Sequence, residues 1–284
     1  MATHPLIDAA TLRARLSQPG WVVVDCRFNL LEPAAGRVAY EHGHIPGARY
    51  ADLDRDLARP PAPSEGRHPL PDVAAFAATL GDWGIGPDDT IVAYDDANGA
   101  IAARLWWLLG WVGHRGTALV LDGGFPAWQA AQLPIETALP AWQPTRYPAP
   151  RTTAATVVDT NDIPARQRAG SLVVDARGNV RYRGEQEPID PVAGHVPGAR
   201  NWPFSNNSAA GVFRPRSELR SDLLQLLEGR EPQHLIAMCG SGVTACQLLL
   251  AMAVAGLEGG KLYAGSWSEW IRDPKRPIAT GAEP

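Results

Sequence analysis

The stretch HLIAMCGSGVTACQLLLAM, from His234 to Met252, decides how this chain is interpreted. It begins with a short apolar run typical of a buried strand. It continues through a loop with two glycines into a longer apolar pattern that predicts a helix. Cys239 stands where the predicted strand ends. Because ligands of parallel sheets bind beyond the carboxyl ends of the strands, chemistry is expected at this cysteine.

The same organisation occurs twice along the chain, in the same order. VVVDCR (22–27) returns as LVVDAR (172–177), GHIPGAR (43–49) as GHVPGAR (194–200), IVAYDDANGAIAARL (91–105) as the cysteine loop, and DGGFPAW (122–128) as AGSWSEW (264–270). Two tandem copies of one fold explain this order. We predict a first domain at 1–138, a proline-rich linker at 139–153 and a second domain at 154–284.

Short β-branched runs alternate with helical patterns in both copies. WVVVD, TIVAYD and ALVLDGG are strand candidates in the first copy, and SLVVD, HLIAMC and GKLYAG are their counterparts. Strand–helix alternation of this kind predicts a parallel sheet covered by helices. The expected class is therefore α/β, with two domains that each hold a mainly parallel sheet flanked by helices.

Composition and charge narrow the classes of partner. The 284 residues carry a formal net charge of -4, which gives no indication of nucleic acid or an anionic membrane as partner. The longest apolar stretch is too short to span a bilayer, and the N-terminus lacks a secretory signal pattern. Three cysteines suit a reducing compartment. We expect a cytoplasmic protein.

The two copies act as an internal control. Features that occur in both copies are assigned to the scaffold. They are the Asp-x-Arg pairs Asp25/Arg27 and Asp175/Arg177 and the turn histidines His44 and His195. Features of one copy alone are candidates for chemistry.

Cys239 and Arg181 belong to that second group. Alignment of the loops through Gly99 and Gly242 places Asp96 opposite Cys239, and Leu31 occupies the position that matches Arg181. The second copy is therefore predicted to be the catalytic one, and the first inactive.

The cysteine loop has features of three kinds of site: a dinucleotide-binding turn, a cysteine phosphatase loop and a sulfur-transfer loop. Gly240–Ala245 fits a dinucleotide-binding glycine pattern, but the acidic residue expected about 20 positions later, at the end of a strand, is missing. A cysteine phosphatase needs an arginine where Ala245 stands. Sulfur transfer needs only a thiolate curled within backbone N–H groups, which the two glycines permit. Cys246, inside the predicted helix, fits a buried structural cysteine.

Taken together, these blocks resemble the two-domain rhodanese sulfurtransferases over nearly the whole chain. The loop CGSGVTA is similar to that of the 3-mercaptopyruvate sulfurtransferases, whereas thiosulfate sulfurtransferases of the family carry Arg and Lys after the cysteine. The resemblance implies a sulfurtransferase with Cys239 as persulfide carrier. It leaves a thiosulfate enzyme and a non-enzymatic sulfur carrier as alternatives.

The resemblance also implies roles for individual residues. Arg181, in RYRG, matches the carboxylate-binding arginine, and Ser241, His68 and Asp54 match a Ser-His-Asp relay whose His and Asp come from the first domain. The substrate-binding loop is expected to comprise Gly240, Gly242, Val243, Thr244 and Ala245. One departure is Ile189, which stands where the family has a second substrate arginine, and Arg183 is a candidate replacement.

The expected partners are a small sulfur donor and a thiol or cyanide acceptor. A thioredoxin-like reductant is a further candidate partner. No metal or organic cofactor is expected.

Overall fold

The computed structural model describes residues 4–149, 152 and 156–284, which fall into two compact units. The first unit comprises Met1–Arg59, Pro71–Thr153 and Ala210–Phe213, and the second comprises Pro60–Leu70, Ala154–Ala209 and Arg214–Pro284. The domain limits 1–138, 139–153 and 154–284 stay a prediction. Residues 1–3, 150, 151 and 153–155 within them lie outside the described residues.

The helices and strands follow the predicted alternation. The strands are β1 Leu6–Ile7, β2 Trp21–Asp25, β3 Arg49–Tyr50, β4 Thr90–Tyr94, β5 Ala118–Leu121, β6 Leu172–Asp175, β7 Arg200–Asn201, β8 Ser208–Ala209, β9 Val212–Phe213, β10 Leu235–Met238 and β11 Lys261–Leu262. The α-helices are α1 Ala9–Arg13, α2 Ala35–His42, α3 Val73–Asp82, α4 Ala102–Trp111, α5 Gly124–Ala130, α6 Ile163–Arg168, α7 Asn179–Tyr182, α8 Arg216–Leu227, α9 Ala245–Val254 and α10 Ser266–Trp270. Short 3₁₀ turns cover Thr160–Asp162, Phe204–Asn207 and Pro232–His234.

Each unit is built on one parallel sheet, which confirms the predicted α/β class. The first sheet has the order β1-β5-β4-β2-β3 and the second the order β11-β10-β6-β7. The two orders are equivalent, because Val157 bridges Leu262 of β11 in parallel much as β1 pairs with β5. The strands β1, β3 and β7 have two residues each and were not predicted, since two residues show no periodicity.

The Asp-x-Arg pairs form the same turn in both units. Arg27 Nη2 donates to Asp25 Oδ2 at 2.6 Å and to the Gly43 carbonyl at 2.7 Å. Arg177 Nη2 donates to Asp175 Oδ2 at 2.6 Å and to the Gly194 carbonyl at 2.8 Å. Each arginine thus links the end of the first long strand to the Gly-His turn.

The turn histidines are also equivalent. His44 lies within hydrogen-bond distance of the Tyr40 carbonyl and stacks on the Tyr40 ring, with centroids 4.1 Å apart. His195 makes the same pair of contacts with Tyr182, at a centroid distance of 3.8 Å. Both histidines are fully buried, as expected of scaffold residues.

Helix α9 fills the interior of the second unit. Nearly all of its residues are buried, including Gln247, whose side chain carbonyl accepts from Asn207 Nδ2 at 2.8 Å. A helix that is apolar on nearly all sides belongs in a core, so the loop before it is anchored to the interior of the unit. In the described ranges no helix has both the length and the apolar character that a membrane crossing requires.

Replacement of Arg177 by alanine tests the scaffold role of the Asp-x-Arg turn. The side chain is 1% exposed and pairs with two buried carboxylates, Asp175 and Glu187. Arg177→Ala leaves both carboxylates buried without this partner. It should therefore lower the free energy of unfolding, measured by urea denaturation, by about 3–5 kcal/mol.

Arg37→Ala is the matched control, because Arg37 and Glu41 form an exposed i,i+4 pair. It should change the free energy of unfolding by less than about 0.5 kcal/mol. Equal effects of the two substitutions would contradict the scaffold assignment of Arg177.

Candidate active site

Cys239 directly follows β10, an interior strand of the second sheet that lies between β6 and β11. Its main chain marks the carboxyl end of that strand, and Gly240–Thr244 lead from it into α9. The residue is 2% exposed. A thiol at this point is therefore shielded from bulk water and surrounded by the main chain of the loop.

The loop turns back on the cysteine sulfur. The Gly242 N–H donates to Cys239 Sγ at 3.2 Å. Gly242 has φ +77°, and a Cβ on it would come within 2.3 Å of the Ala264 carbonyl oxygen. Only glycine satisfies both conditions, so Gly242 allows the N–H group to point at the sulfur.

The turn after β11 fastens the loop. Ser266 Oγ accepts from the Cys239 N–H at 3.0 Å and donates to the Tyr263 carbonyl at 2.8 Å. The N–H groups of Trp267 and Ser268 donate to the carbonyls of Cys239 and Gly240 at 3.0 and 2.8 Å. Both main-chain polar groups of Cys239 are thereby satisfied, and the position of its side chain is fixed.

In the first unit the equivalent loop holds a carboxylate. Asp95 accepts from the N–H groups of Ala97 and Gly99 at 2.9 Å and from those of Ile101 and Ala102 at 2.8 Å. The equivalent loops therefore both direct main-chain N–H groups at a side chain of the loop. In the first unit that side chain is a carboxylate, and in the second it is a cysteine.

This arrangement corrects the alignment of the two loops. The Phe125 N–H donates to the Asp95 carbonyl as the Trp267 N–H donates to that of Cys239, so Asp95 rather than Asp96 is opposite Cys239. The alignment through Gly99 and Gly242 was wrong by one position. Its cause is an extra residue in the first loop, between the strand end and the glycine with positive φ.

Ser241 and His68 lie together although they are 173 residues apart in sequence. His68 Nδ1 is 2.7 Å from Ser241 Oγ, and the two residues are 5% and 6% exposed. His68 was expected from the first domain, but its segment, Pro60–Leu70, groups with the second unit. The pair is thus internal to the unit that carries Cys239.

Contacts along that segment hold His68 in place. Ser268 Oγ accepts from the Arg67 N–H at 3.0 Å, and the Glu65 carbonyl accepts from Arg272 Nε at 3.1 Å. Gly66 packs so closely that a Cβ on it would lie 2.5 Å from the Gly265 carbonyl oxygen. The turn that fastens the cysteine loop therefore also fastens the histidine.

Asp54 lies in the first unit, in the exposed turn after β3, where its N–H donates to Asp52 Oδ1 at 2.9 Å. Its place in a relay with His68 and Ser241 stays a prediction. The expected substrate contacts of Val243, Thr244 and Ala245 also stay predictions. Of these three residues, Val243 and Ala245 are buried.

Arg181, on α7, lies beside the cysteine loop. Its Nε and Nη2 donate to Glu187, the latter at 2.7 Å to Oε1, and Nη2 also reaches Asp190 Oδ2 at 3.1 Å. From an ideal Cβ on Gly240, Nη2 and Nη1 are 3.5 and 3.6 Å away. The candidate carboxylate-binding arginine is thus placed next to the candidate nucleophile.

Arg67 is a residue of this site that sequence reasoning missed. It forms an ion pair with Asp190, and its Nη2 lies 3.0 Å from the ideal Cβ position of Gly240. The only signal in the sequence was its place beside His68 in EGRHPLP. Arg183, the expected replacement for the missing arginine, is 44% exposed and lies 3.8 Å from Glu185.

Glu187 connects the arginines of this site. It accepts from Arg181 and also from Arg177 Nη1 at 3.3 Å, and its side chain is 3% exposed. Burial opposes ionisation of Glu187, but hydrogen bonds from Arg181 and from the main chain at Asp190 and Ile189 lower its pKa. For Asp190, burial raises the pKa, an effect that the charges of Arg67 and Arg181 only partly offset.

The other two cysteines lie in different environments. Burial and the nearby carboxylates Asp25, Asp95 and Asp56 raise the pKa of Cys26 well above its ordinary value. Cys246 is fully buried in α9, with its Sγ 3.4 Å from the Gly242 carbonyl oxygen. Within the described residues, no group of three or more His, Cys, Asp or Glu side chains is arranged to hold a metal ion.

Comparisons with known proteins identify relatives over the whole chain. A model of the rhodanese-like domain matches residues 8–131 and 159–273. A Pseudomonas aeruginosa protein described as a probable 3-mercaptopyruvate sulfurtransferase is 47% identical, over 99% of this chain and 100% of that protein. A Mycobacterium tuberculosis protein, provisionally named a thiosulfate sulfurtransferase, is 38% identical over 97% of each chain.

A solved structure is also similar over nearly the whole of this chain. The 3-mercaptopyruvate sulfurtransferase from Leishmania major superposes with a TM-score of 0.83 at 30% identity. The superposition covers 96% of this chain and 77% of the other.

Replacement of Asp95 by asparagine tests the anion cradle in the first unit. An amide group has one oxygen, so it cannot accept the four N–H bonds that the carboxylate accepts. Asp95→Asn should lower the free energy of unfolding by about 2–3 kcal/mol in urea denaturation. Asp96→Asn, at an exposed position, should change it little. A larger loss of stability with Asp96→Asn than with Asp95→Asn would contradict the assignment of Asp95 as the carboxylate held by this loop.

Proposed function

Because the chain belongs to the rhodanese family, we propose that it is a sulfurtransferase with 3-mercaptopyruvate as donor and Cys239 as sulfur carrier. The observation that carries the proposal is the directed N–H of Gly242 on Cys239 Sγ, in a loop whose counterpart holds a carboxylate. A loop that binds an anion suits both the thiolate and the persulfide. The first copy, residues 1–138, is proposed to be catalytically inactive because it has no cysteine in that loop.

In the first half-reaction, the Cys239 thiolate attacks the sulfur of 3-mercaptopyruvate. An S–S bond forms, the C–S bond breaks, and its electron pair passes to carbon as the enolate of pyruvate. Protonation of that carbon gives pyruvate, and Cys239 is left as a persulfide. Ser241 and His68, joined at 2.7 Å, are proposed to move this proton, with Asp54 as the third member of the relay.

In the second half-reaction, a thiol or cyanide attacks the outer sulfur of the persulfide. The S–S bond breaks, the acceptor leaves with the sulfur, and Cys239 returns to the thiolate. Donor and acceptor thus react at one sulfur in turn, which predicts ping-pong kinetics. A thioredoxin-like protein is a candidate acceptor. This chemistry requires a reduced thiol, so we propose a reducing compartment such as the cytoplasm.

Thiosulfate is the second candidate donor. The Mycobacterium tuberculosis relative is provisionally named a thiosulfate sulfurtransferase. In addition, two guanidinium groups, which could bind an anionic donor, lie beside Gly240. However, three arginines of this site form ion pairs with three carboxylates. The arginines are Arg67, Arg177 and Arg181, and the carboxylates are those of Asp175, Glu187 and Asp190. With no surplus positive charge, desolvation of a dianion is poorly compensated, and a monoanion is favoured.

Substitution of Cys239 tests the carrier. Cys239→Ser should abolish sulfur transfer, while Cys26→Ser and Cys246→Ser should keep most of it. Intact-mass measurement after donor treatment of the wild type should show one added sulfur, and peptide mapping should place it on Cys239. Sulfur on Cys246 would refute the assignment. Turnover of small donors would exclude a carrier without enzymatic activity.

Comparison of the two donors tests the charge argument. With cyanide as acceptor, kcat/KM for 3-mercaptopyruvate should exceed that for thiosulfate by at least about tenfold, equivalent to about 1.4 kcal/mol of transition-state stabilisation. Measurements at several ionic strengths show how far salt screening of the charged donors changes this ratio. If thiosulfate is the better donor, the assignment of donor is wrong while sulfur transfer through Cys239 stands.

A further inference from the structure

Two guanidinium groups meet above Gly240, the residue next to Cys239. Arg67 Nη2 lies 3.0 Å from the ideal Cβ position of Gly240, and Arg181 Nη2 and Nη1 lie 3.5 and 3.6 Å from it. The φ angle of Gly240 is not in the left-handed region, so backbone conformation does not require glycine there. The close guanidinium groups favour it, because a side chain there would displace the Arg67 guanidinium by a few tenths of an ångström or more.

Both arginines have donors that make no hydrogen bond to the described residues. Arg181 directs Nε and Nη2 to Glu187 and Asp190, and Arg67 directs Nη1 to Asp190. Within the described part of the chain, Nη1 of Arg181 and Nη2 of Arg67 make no hydrogen bond. Arg67 Nε is buried and also lacks an acceptor. A buried donor without an acceptor is costly, so its retention beside a nucleophile indicates a ligand that uses this guanidinium.

Asp190 sets the separation of the two groups. One of its oxygens pairs with Arg67 and the other with Arg181, and its side chain is only 2% exposed. Two like charges would otherwise repel each other at this distance. The shared carboxylate therefore holds the guanidinium groups side by side, with free N–H groups beside Gly240.

This chain lacks the arginine that the family pattern places at Ile189. The main chain of Ile189 serves Glu187, to which its N–H donates at 3.1 Å. Arg183 pairs with Glu185 at an exposed position. Arg67, which comes from the segment that also carries His68, is the second guanidinium that reaches the loop, beside that of Arg181.

We propose that Arg67 and Arg181 together bind the carboxylate of the donor, with Arg67 supplying the guanidinium that is missing at Ile189. Planar guanidinium groups match a planar carboxylate, and two of them bind its two oxygens from different sides. The ligand class is a small 2-oxo acid whose sulfur lies over Cys239. This inference rests on the proposed function for the identity of the donor.

Direct binding separates this inference from the proposed function. In the Cys239→Ser background, which prevents turnover, calorimetry measures the Kd of 3-mercaptopyruvate. Addition of Arg67→Gln should raise Kd by about ten- to hundredfold, as expected for loss of a charge-assisted hydrogen bond. Arg183→Gln in the same background should leave Kd within about twofold. An unchanged Kd with Arg67→Gln would overturn the inference.

Kinetics of the variants with Cys239 intact give an independent result. Arg67→Gln should raise KM for 3-mercaptopyruvate more than it lowers kcat, since a carboxylate contact is present before and during the reaction. A loss confined to kcat would instead indicate that Arg67 only positions His68, and would overturn a binding role. If the wild type binds 3-mercaptopyruvate through Arg67 but releases no pyruvate, the proposed function fails and the binding site stands.

Removal of Arg67 alone leaves Asp190 buried without one of its partners, so a second variant guards against misfolding. Arg67→Gln combined with Asp190→Asn removes both charges together. Its thermal unfolding should stay close to that of the wild type, and its binding of 3-mercaptopyruvate should still be weakened about tenfold or more. A folded double variant with the Kd of the parent would refute the role of Arg67.

Discussion

The organisation of this protein depends on a loop at the carboxyl end of a buried strand whose main-chain N–H groups point back at a side chain of the loop. In the second unit that side chain is Cys239, whose Sγ accepts from Gly242, and in the first it is Asp95, whose carboxylate accepts four N–H bonds. An anion in such a position has lost its water and must be compensated by fixed dipoles. In the second unit, Gly242, with positive φ, and the turn around Ser266, which fastens the loop, fix the N–H group that points at the sulfur.

The arginine–carboxylate network beside the loop follows from the same requirement. A guanidinium group can bind an anion, but an unpaired guanidinium in a buried site costs several kcal/mol. Glu187 and Asp190 remove most of that cost by pairing with Arg177, Arg181 and Arg67. The result is a site that offers directed N–H donors with little net charge, which favours recognition by geometry over attraction by charge.

The duplicated fold separates scaffold from chemistry within one molecule. The Asp-x-Arg turn and the stacked histidine are equivalent in both units, and both are buried. They connect strand ends to turns in the same way whether the neighbouring loop carries a cysteine or an aspartate. The loop at the strand end differs, because the second copy has Cys239 where the first has Asp95.

Local sequence patterns were sufficient for the fold class, the duplication, the long strands and the place of Cys239. These features depend on apolar runs, glycines and residues within a few positions of each other, which periodicity reports directly. Tertiary structure decided which residues surround the cysteine. Arg67 and His68 reach the loop from a segment that lies more than 170 residues earlier, and nothing in their local pattern indicates that contact. The family resemblance had placed His68 with Ser241, but it gave no indication of Arg67. The correct partner of Cys239 in the first copy, Asp95, was likewise visible only from hydrogen bonds between distant turns, since the loops differ in length.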